Sequence, residues 1–304
     1  MSRTPVLSSS SPSRAAVRIS LAALLAGALA IALSPIFVRL SAVGPVATAF
    51  WRVALALPAL SLWLAAERRG TATPRRPKGT PDRLRLIAAG LCFAGDLSLW
   101  HWSIHYTSVA NATLFANFAP IFVTAVSWLV FGERFTRTFL AGLGCAIAGA
   151  MTLMGASLGF GAGHLFGDAL GLGTALFYAG YILAVGRLRA SFSTATIMTW
   201  SGVVTAATLL PLALVLEPTI APPDAAAWAV LAGLALISHA GGQSLIAYAL
   251  AHLPAAFSSV SLLLQPAAAG VFAWLLLGEP LTAAQGAGGL IVLCGIFLAR
   301  LGSR

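Results

Sequence analysis

A six-residue pattern occurs twice in this chain, as Phe131-Gly-Glu-Arg-Phe-Thr136 and as Leu277-Gly-Glu-Pro-Leu-Thr282. The two copies lie 146 residues apart in the sequence. The same offset pairs other residues on both sides of the pattern: Gly95 with Gly241, Ser98 with Ser244, Pro120 with Pro266, Trp128 with Trp274, Gly142 with Gly288 and Gly149 with Gly295. Because chance similarity would not keep one register over this length, the chain contains an internal duplication.

The composition predicts a membrane protein. Hydrophobic residues make up 59% of the chain and charged residues only 9%, against roughly 25% charged residues in soluble domains. Ten apolar runs follow one another, and most approach the about 20 residues that a helix needs to cross the hydrocarbon core. We number them as spans 1 to 10: Ile19–Val38, Val46–Ala65, Leu84–Trp102, Ala110–Phe131, Phe139–Met154, Ala169–Val185, Thr194–Leu216, Ala225–Leu250, Ala256–Leu277 and Ala283–Leu298.

The formal net charge of +10 raises the question of where the basic residues lie. All but Arg39 and Arg52 of the 18 lie near the termini or in the loops after spans 2, 4 and 6. The positive-inside rule therefore predicts that both termini and these loops are cytoplasmic, in a multi-pass protein of a bacterial inner membrane or plasma membrane. The charge indicates topology and contact with membrane lipids, and it gives no reason to expect a nucleic-acid partner.

Each copy contains five spans, and an odd number predicts that the second copy enters the membrane upside down. The loops agree with this prediction, because Arg134 and Arg137 of the first copy are replaced by Pro280 and Ala283 in the second. We therefore divide the chain into a disordered cytoplasmic tail (residues 1–17), a first five-helix repeat (18–157) and a second (165–302). Inverted repeats are typical of secondary transporters, whose halves exchange conformations around a central site.

Several motifs resemble the drug/metabolite transporter superfamily in its EamA-type branch. They are Ser34-Pro-Ile-Phe-Val-Arg39, Phe50-Trp-Arg52 and, in each half, a mid-helix proline, a tryptophan and Gly-Glu-x-x-Thr. The resemblance implies ten helices, with helices 1, 3, 4, 6, 8 and 9 around a cavity and helices 5 and 10 at the periphery. It also implies a substrate class of amino acids and related metabolites or drugs, commonly exported. The second half has Ser201 after Trp200, so whatever Arg52 does is not duplicated.

Few ionisable residues lie inside the spans, where each costs about 2.5–3.5 kcal/mol on insertion scales. Asp96 in span 3 and His239 in span 8 occur in equivalent helices. Helical spacing places Trp100 on the face of Asp96 and Gln243 on the face of His239. These residues are predicted to contact a substrate, or to act as a proton-coupling pair. In the alternative interpretation they are structural, and Asp96 neutralises the charge of Arg52.

The matched prolines Pro120 and Pro266 each remove a backbone donor, which membrane helices tolerate where a neighbour or a cavity satisfies the freed carbonyl. Asn117 precedes Pro120, and Gln265 precedes Pro266. We predict that both side chains line the cavity, with interhelical hydrogen bonding as the alternative. Further polar residues flank the prolines, namely Thr113 and Thr124 in span 4 and Ser258 and Ser261 in span 9.

Tyr178 and Tyr181 share a face of span 6, so they either stack on a substrate or lie at the membrane interface. Glu133 and Glu279 end spans 4 and 9, where they either cap the following turn or act as gates. Arg39 is a charge at the end of span 1. The small residues Gly142, Ala146 and Ala150 of span 5 favour close helix packing, in a monomer or a homodimer.

The sequence predicts no enzyme, no cofactor and no metal. A metal on His101 and His105 lacks a neighbouring carboxylate or thiolate, and the Gly159–Gly167 stretch lacks the Lys-Ser/Thr of a phosphate loop. The predicted function is a secondary active transporter that exports amino acids or related small metabolites by alternating access. The alternatives are a lipid or drug translocator and, with less support, an intramembrane enzyme that uses His101, His239 or a serine.

Overall fold

The computed structural model describes residues 13–70, 75–107, 109–155, 164–278 and 280–303, and only the backbone at 104, 105 and 109–111. All regular structure in these ranges is helical, which confirms the predicted class. Helices α1 to α10 follow the ten predicted spans. They are α1 Arg14–Leu40, α2 Pro45–Arg69, α3 Gly79–Tyr106, α4 Val109–Ala116 with Ala119–Phe131, α5 Arg137–Met154, α6 Leu165–Leu188, α7 Thr194–Leu216, α8 Ala225–Ala249, α9 Ala255–Leu277 and α10 Ala283–Gly302.

Nine of these helices are long and apolar enough to cross a membrane, within the ranges that the structure describes. The exception is α3, whose apolar run is interrupted by polar residues such as Asp96 and His101. Its 28 residues extend about 42 Å at about 1.5 Å per residue, which is more than the hydrocarbon core requires. The chain is thus a multi-pass membrane protein, and the tenth span depends on the length of α3.

Helix α1 begins at Arg14, within the segment that the sequence predicts to be a disordered tail. The hydroxyl of Ser13 accepts a hydrogen bond from the backbone N–H of Ala16 at 3.2 Å and so caps the first turn. A capped turn lets the helix start several residues before the apolar run does. Residues 1–12 of that tail lie outside the described ranges.

Several helices are irregular near their middle. Each of α4 and α9 breaks just before its proline, so that new segments start at Ala119 and Leu264. Proline explains both breaks, because its ring removes a backbone donor and clashes with the preceding turn. Helix α8 contains a π-helical stretch, Leu234–Gln243, which includes His239. Such stretches are frequently found at functional sites.

The repeated Gly-Glu-x-x-Thr pattern forms the same corner in both halves. Gly132 and Gly278 end α4 and α9 in the left-handed conformation, with φ of +68° and +70°, which favours glycine. The hydroxyls of Thr136 and Thr282 then cap the first turns of α5 and α10, accepting from backbone N–H groups at 3.1 and 3.2 Å. Thr136, and not Glu133, therefore supplies the side-chain cap of this turn.

Helices α5 and α10 pack against each other in an antiparallel orientation through small residues. A Cβ on Gly142 would collide with the backbone of Gly295 and Ala299, and one on Gly149 with the backbone of Gly288 and Val292. Gly142 is equivalent to Gly288 and Gly149 to Gly295, so each contact is the counterpart of the other under the 146-residue offset. Equivalent helices that pair in this way are related by a two-fold pseudo-axis, which is the geometry of an inverted repeat.

Helices α2 and α7 form a second equivalent pair. The Glu217 carboxylate at the end of α7 accepts hydrogen bonds from the backbone N–H groups of Val46 and Ala47, at 2.6 and 3.1 Å, where α2 begins. At the other end, Ser193 at the start of α7 donates to the Glu67 carboxylate of α2 at 2.6 Å. The two helices are therefore antiparallel along their length, with an acidic contact at each end.

Basic residues gather at one end of the bundle, where they lie over aromatic rings. The guanidinium of Arg187 is 3.5 Å from the ring centroid of Phe131, and that of Arg300 is 5.1 Å from that of Phe257. We call this end the arginine-rich face, and the end where Glu217 meets α2 the opposite face. The clustering agrees with the predicted topology, whereas the side of the membrane on which the cluster lies stays a prediction.

Candidate functional site

A cavity of about 630 Å³ lies between the two halves. Residues of both repeats line it, from α1 to α5 in the first half of the bundle and from α6, α8, α9 and α10 in the second. Its walls include Leu153 and Met154 at the end of α5 and Gln285 at the start of α10. These helix ends lie at the opposite face, so the cavity is on that side of the bundle and not on the arginine-rich side.

The cavity holds two opposite charges. Asp96 of α3 and Arg52 of α2 both line it and lie within Coulombic range of one another. The Nε atom of Arg52 is buried without a hydrogen-bond partner among the described residues. The mostly apolar walls lower the effective dielectric constant around this pair, which strengthens the electrostatic interactions that a bound molecule would make with it. Both residues had been predicted from the sequence as intramembrane charges.

Four further predicted residues line the same cavity. Trp100 lies on the face of Asp96, as the helical spacing predicts. Asn117 donates from Nδ2 to the carbonyl of Thr113 at 2.9 Å, so part of its amide is used within α4. Gln243 and Gln265 line the cavity from α8 and α9, and the amide of Gln265 lies beside the hydroxyl of Tyr178. The structure thus brings together amide and indole groups from both repeats.

An aromatic layer, formed by Phe93, Tyr178, Tyr181 and His239, closes the cavity toward the arginine-rich face. The ring centroid of Phe93 is 4.7 Å from that of Tyr181 and 5.4 Å from that of His239, while Tyr178 and Tyr181 are 6.4 Å apart. Phe93 and Tyr178 line the cavity. Tyr181 and His239 are only 2% and 1% exposed and lie behind them. The structure therefore does not place these last two residues in the cavity wall.

The remaining predicted residues occupy other places. Pro266 lines the main cavity, whereas Pro120 lines a much smaller one of about 20 Å³ that adjoins it through Asn117 and Gln265. Arg39 is exposed at the end of α1, and Glu133 is exposed at the arginine-rich face. Glu279 lies outside the described residues.

His101 and His105 were considered as a pair of metal ligands, and the structure describes the side chain of His101 alone. The ring of His101 is 2% exposed and its Nδ1 atom is 2.5 Å from the carbonyl oxygen of Leu97, one turn earlier in α3. The side chain of His105 lies outside the described residues.

Sequence reasoning missed three parts of the cavity wall. The second segment of α1 contributes Ser34 and Val38, and α10 contributes Gln285. Phe93 was overlooked because it lies within an apolar run. A signal for it was present in the sequence, since the 146-residue offset makes Phe93 the equivalent of His239. The Ser34 motif was noticed only as a mark of resemblance.

Comparison with known proteins agrees with this architecture. A solved crystal structure shares the fold with a TM-score of 0.78 and 20% sequence identity, over 95% of this chain and 98% of that one. At this identity the likeness concerns the fold alone.

Two curated relatives are named as exporters. A "Probable terminal-alkyne amino-acid exporter" of Streptantibioticus cattleyicolor is 32% identical over 215 residues, covering 68% of this chain and 71% of that protein. The "Pseudopaline exporter CntI" of Pseudomonas aeruginosa is 27% identical over 216 residues, covering 71% and 74%. The model of the EamA-like transporter family matches twice, over residues 18–155 and 165–301. The chain therefore belongs to the EamA-like transporter family.

Proposed function

We propose that this protein is a secondary transporter that exports amino acids or related amphipathic metabolites by alternating access. The observation that carries the proposal is the pair of opposite charges, Asp96 and Arg52, in a cavity between two inverted repeats. Charged groups inside a membrane are costly and mark substrate or ion pathways when they face a cavity. The volume of about 630 Å³ falls within the range of small-molecule sites, about 300–1,000 Å³.

The chemistry of the cavity suits a zwitterion with an apolar part. Asp96 would receive an ammonium group, and the guanidinium of Arg52 would bind a carboxylate. The indole of Trp100 offers a face to a cation or an apolar chain. The apolar walls, which include Ile31 and Leu97, would accommodate the rest of the molecule. A substrate with only one of these charges would leave the other residue without a counterion.

The names of the relatives support export as the direction of transport, and the predicted topology is compatible with it. With both termini cytoplasmic, as the basic residues predict, the arginine-rich face is cytoplasmic and the cavity faces outward. An exporter passes through this conformation when it releases its substrate. The two relatives described above carry the word exporter in their names, which supports the same direction in a bacterial inner membrane or plasma membrane.

Coupling to protons is part of the proposal, with Asp96 as the group that exchanges a proton for the substrate. In the alternative, Asp96 is a structural counterion of Arg52, and the driving force comes from the substrate gradient. The two versions predict a different pH dependence of transport for the Asp96→Asn variant. The oligomeric state, monomer or homodimer, does not affect either version, because the cavity is formed within one chain.

A lipid or drug translocator is the second candidate. It is favoured by the mostly apolar wall of the cavity and by its size, which exceeds that of a single small amino acid. Such a substrate would need no ammonium and carboxylate in the same molecule. Neutralising Arg52 or Asp96 would then affect its transport far less than that of a zwitterion.

Transport into liposomes tests the proposal. The purified protein is reconstituted, and the uptake of labelled amino acids, small peptides and cationic drugs is compared with that of protein-free liposomes, with and without a pH gradient. We expect a zwitterion with an apolar side chain to be transported and to compete with other members of its class. Transport of lipids or drugs without any amino-acid transport would refute the proposal.

A further inference from the structure

Polar side chains without partners are buried in the closed half of the bundle. Thr124 and Ser127 of α4 are 7% and 0% exposed, and His239 of α8 is 1% exposed. The hydroxyl oxygens of both and the two ring nitrogens of His239 have no hydrogen-bond partner among the described residues. Thr124 and Ser127 lie between the cavity and the arginine-rich face, and His239 is packed against Phe93 beside the cavity.

Several hydroxyls in the other helices form a local bond, although those of Ser20, Ser34, Ser244 and Ser258 also have no partner among the described residues. Ser98, Thr174 and Ser201 donate to the carbonyl four residues earlier, at 2.7, 3.1 and 2.7 Å. This local bond is the usual solution for serine and threonine in membrane helices. Thr124 and Ser127 have the same carbonyls available and do not use them. The closed conformation therefore gives no account of these two hydroxyls.

The inverted repeat supplies an account. The 146-residue offset relates Thr124 to Gly270, Ser127 to Ala273 and His239 to Phe93. Gly270, Ala273 and Phe93 all line the present cavity. If the two halves exchange conformations, each residue takes the environment of its equivalent. Thr124, Ser127 and His239 would then face water in the other state.

We propose that these three residues line an inner vestibule, closed in this structure, that opens to the arginine-rich face and admits the substrate. Arg300 stands at its mouth, because its equivalent, Met154, lines the present cavity. The guanidinium now lies over Phe257 at 5.1 Å, and this contact breaks when the vestibule opens. A cationic mouth followed by hydroxyls suits a carboxylate-bearing substrate.

Two equivalent pairs line the cavity with both their members, namely Ala32 with Tyr178 and Leu97 with Gln243. Under the exchange of conformations the members of each pair replace one another, so all four residues stay exposed to the pathway in the two states. The substrate site shared by the outer cavity and the inner vestibule is therefore next to Tyr178 and Gln243. This inference rests on the proposed transport function.

Single cysteines test the vestibule. In a variant whose Cys92, Cys145 and Cys294 are replaced by alanine, Ser127→Cys and Ala273→Cys are introduced separately. A membrane-impermeant maleimide is then applied to right-side-out and to inside-out vesicles. We expect Ser127→Cys to be labelled only from the arginine-rich face and Ala273→Cys only from the opposite face. Adding the transported amino acid should change both labelling rates, because it shifts the population of the two states.

Thr205→Cys is the matched control. Thr205 is as deeply buried as Ser127, but its hydroxyl donates to the carbonyls of Gly90 and Ser201, both at 2.9 Å, away from the pathway. It should stay unlabelled from either face. Labelling of Thr205→Cys together with Ser127→Cys would mean general loosening and would overturn the inference.

Failure of the vestibule and failure of the transport function have different signatures. If amino acids are transported while Ser127→Cys and Thr124→Cys both resist labelling from the arginine-rich face, the vestibule does not exist at these residues. If both are labelled as expected but no amino acid crosses, the vestibule stands and the substrate class is wrong. Thr124→Cys is included because Ser127→Cys could fail to be labelled through a local folding defect alone.

Discussion

Phe93 stacks on His239 with ring centroids 5.4 Å apart and an interplanar angle of 28°. The two residues are equivalent in the inverted repeat, so this contact lies on the pseudo-axis that relates the halves. A contact on the axis keeps the same two residues together when the halves exchange conformations, while the residues around it change partners.

Replacing His239 by phenylalanine tests this relationship. We expect His239→Phe to keep the stack and to raise the thermal midpoint, because it removes two buried ring nitrogens that have no partner. His239→Ala should lower the midpoint, since it leaves a cavity against Phe93. Thermal unfolding in detergent would show both shifts. A fall in both variants would indicate that the imidazole nitrogens are bonded in the membrane.

Close packing of α5 on α10 should be sensitive to a single methyl group. A Cβ on Gly142 would meet the backbone of Ala299 and Gly295, so we expect Gly142→Ala to destabilise the protein by about 1–3 kcal/mol through overpacking. Nothing lies within 4 Å of a Cβ on Gly144. Gly144→Ala should therefore be neutral or stabilise by up to about 1 kcal/mol. Equal effects in a reversible unfolding assay would argue against the contact.

The carboxylate of Glu217 should stabilise the start of α2. It accepts from the N–H groups of Val46 and Ala47, so Glu217→Ala should cost about 1 kcal/mol, as the loss of a helix cap does. Glu217→Gln keeps an acceptor and should cost less. The exposed Glu133 provides a control, and Glu133→Ala should leave stability unchanged. Circular dichroism during denaturant titration measures all three, and an effect of Glu133→Ala as large as that of Glu217→Ala would contradict the assignment.

Asp96 distinguishes coupling from structure. If it exchanges a proton for the substrate, Asp96→Asn should fold normally and lose the pH dependence of transport, while exchange of substrate for substrate continues. Arg52→Gln should weaken substrate binding without abolishing the pH dependence. Proteoliposome flux at several external pH values measures both. A normal pH profile in a folded Asp96→Asn protein would leave Asp96 as the counterion of Arg52.

The orientation of the chain is testable at two exposed loop positions. Lys78 precedes α3 at the arginine-rich face, and Ala221 lies between α7 and α8 at the opposite face. In the cysteine-free variant, Lys78→Cys should react with an impermeant reagent only from the cytoplasmic side, and Ala221→Cys only from outside. Reaction of both from one side would break the inverted topology.

Much of the fold was predictable because it depends on local chemistry. The offset that pairs Gly132 with Gly278 and Thr136 with Thr282 identified the repeats, and the structure explains it by a left-handed glycine and a helix cap in each half. Loss of Arg134 and Arg137 from the second copy indicated the inversion. Asp96 and Gln265 were also recognisable as candidate site residues, because a polar residue within an apolar run is costly in a membrane unless it has a partner or lines a cavity.

The candidate site was less predictable, because lining a cavity is a property of several helices together. His239 and Tyr181 are polar or aromatic residues at mid-span, yet both are buried behind Phe93 and not in the wall. Phe93, an ordinary apolar residue by sequence, reaches the cavity because α3 presents that face to the gap between the halves. The rotation of a helix about its own axis decides which of its faces meets the cavity, and this rotation is set by packing against neighbouring helices.

The sequence by itself determined that this protein crosses a membrane repeatedly as two inverted copies, because hydropathy, charge placement and motif spacing are properties of the chain. The tertiary structure alone decided at which face of the bundle the cavity is open, since two inverted copies of one unit permit either conformation. It also decided which polar groups line the cavity and which are buried without hydrogen-bond partners behind the aromatic layer. The physical reason is that packing places Gly270 and Ala273 along an open gap while their equivalents, Thr124 and Ser127, lie in a closed one.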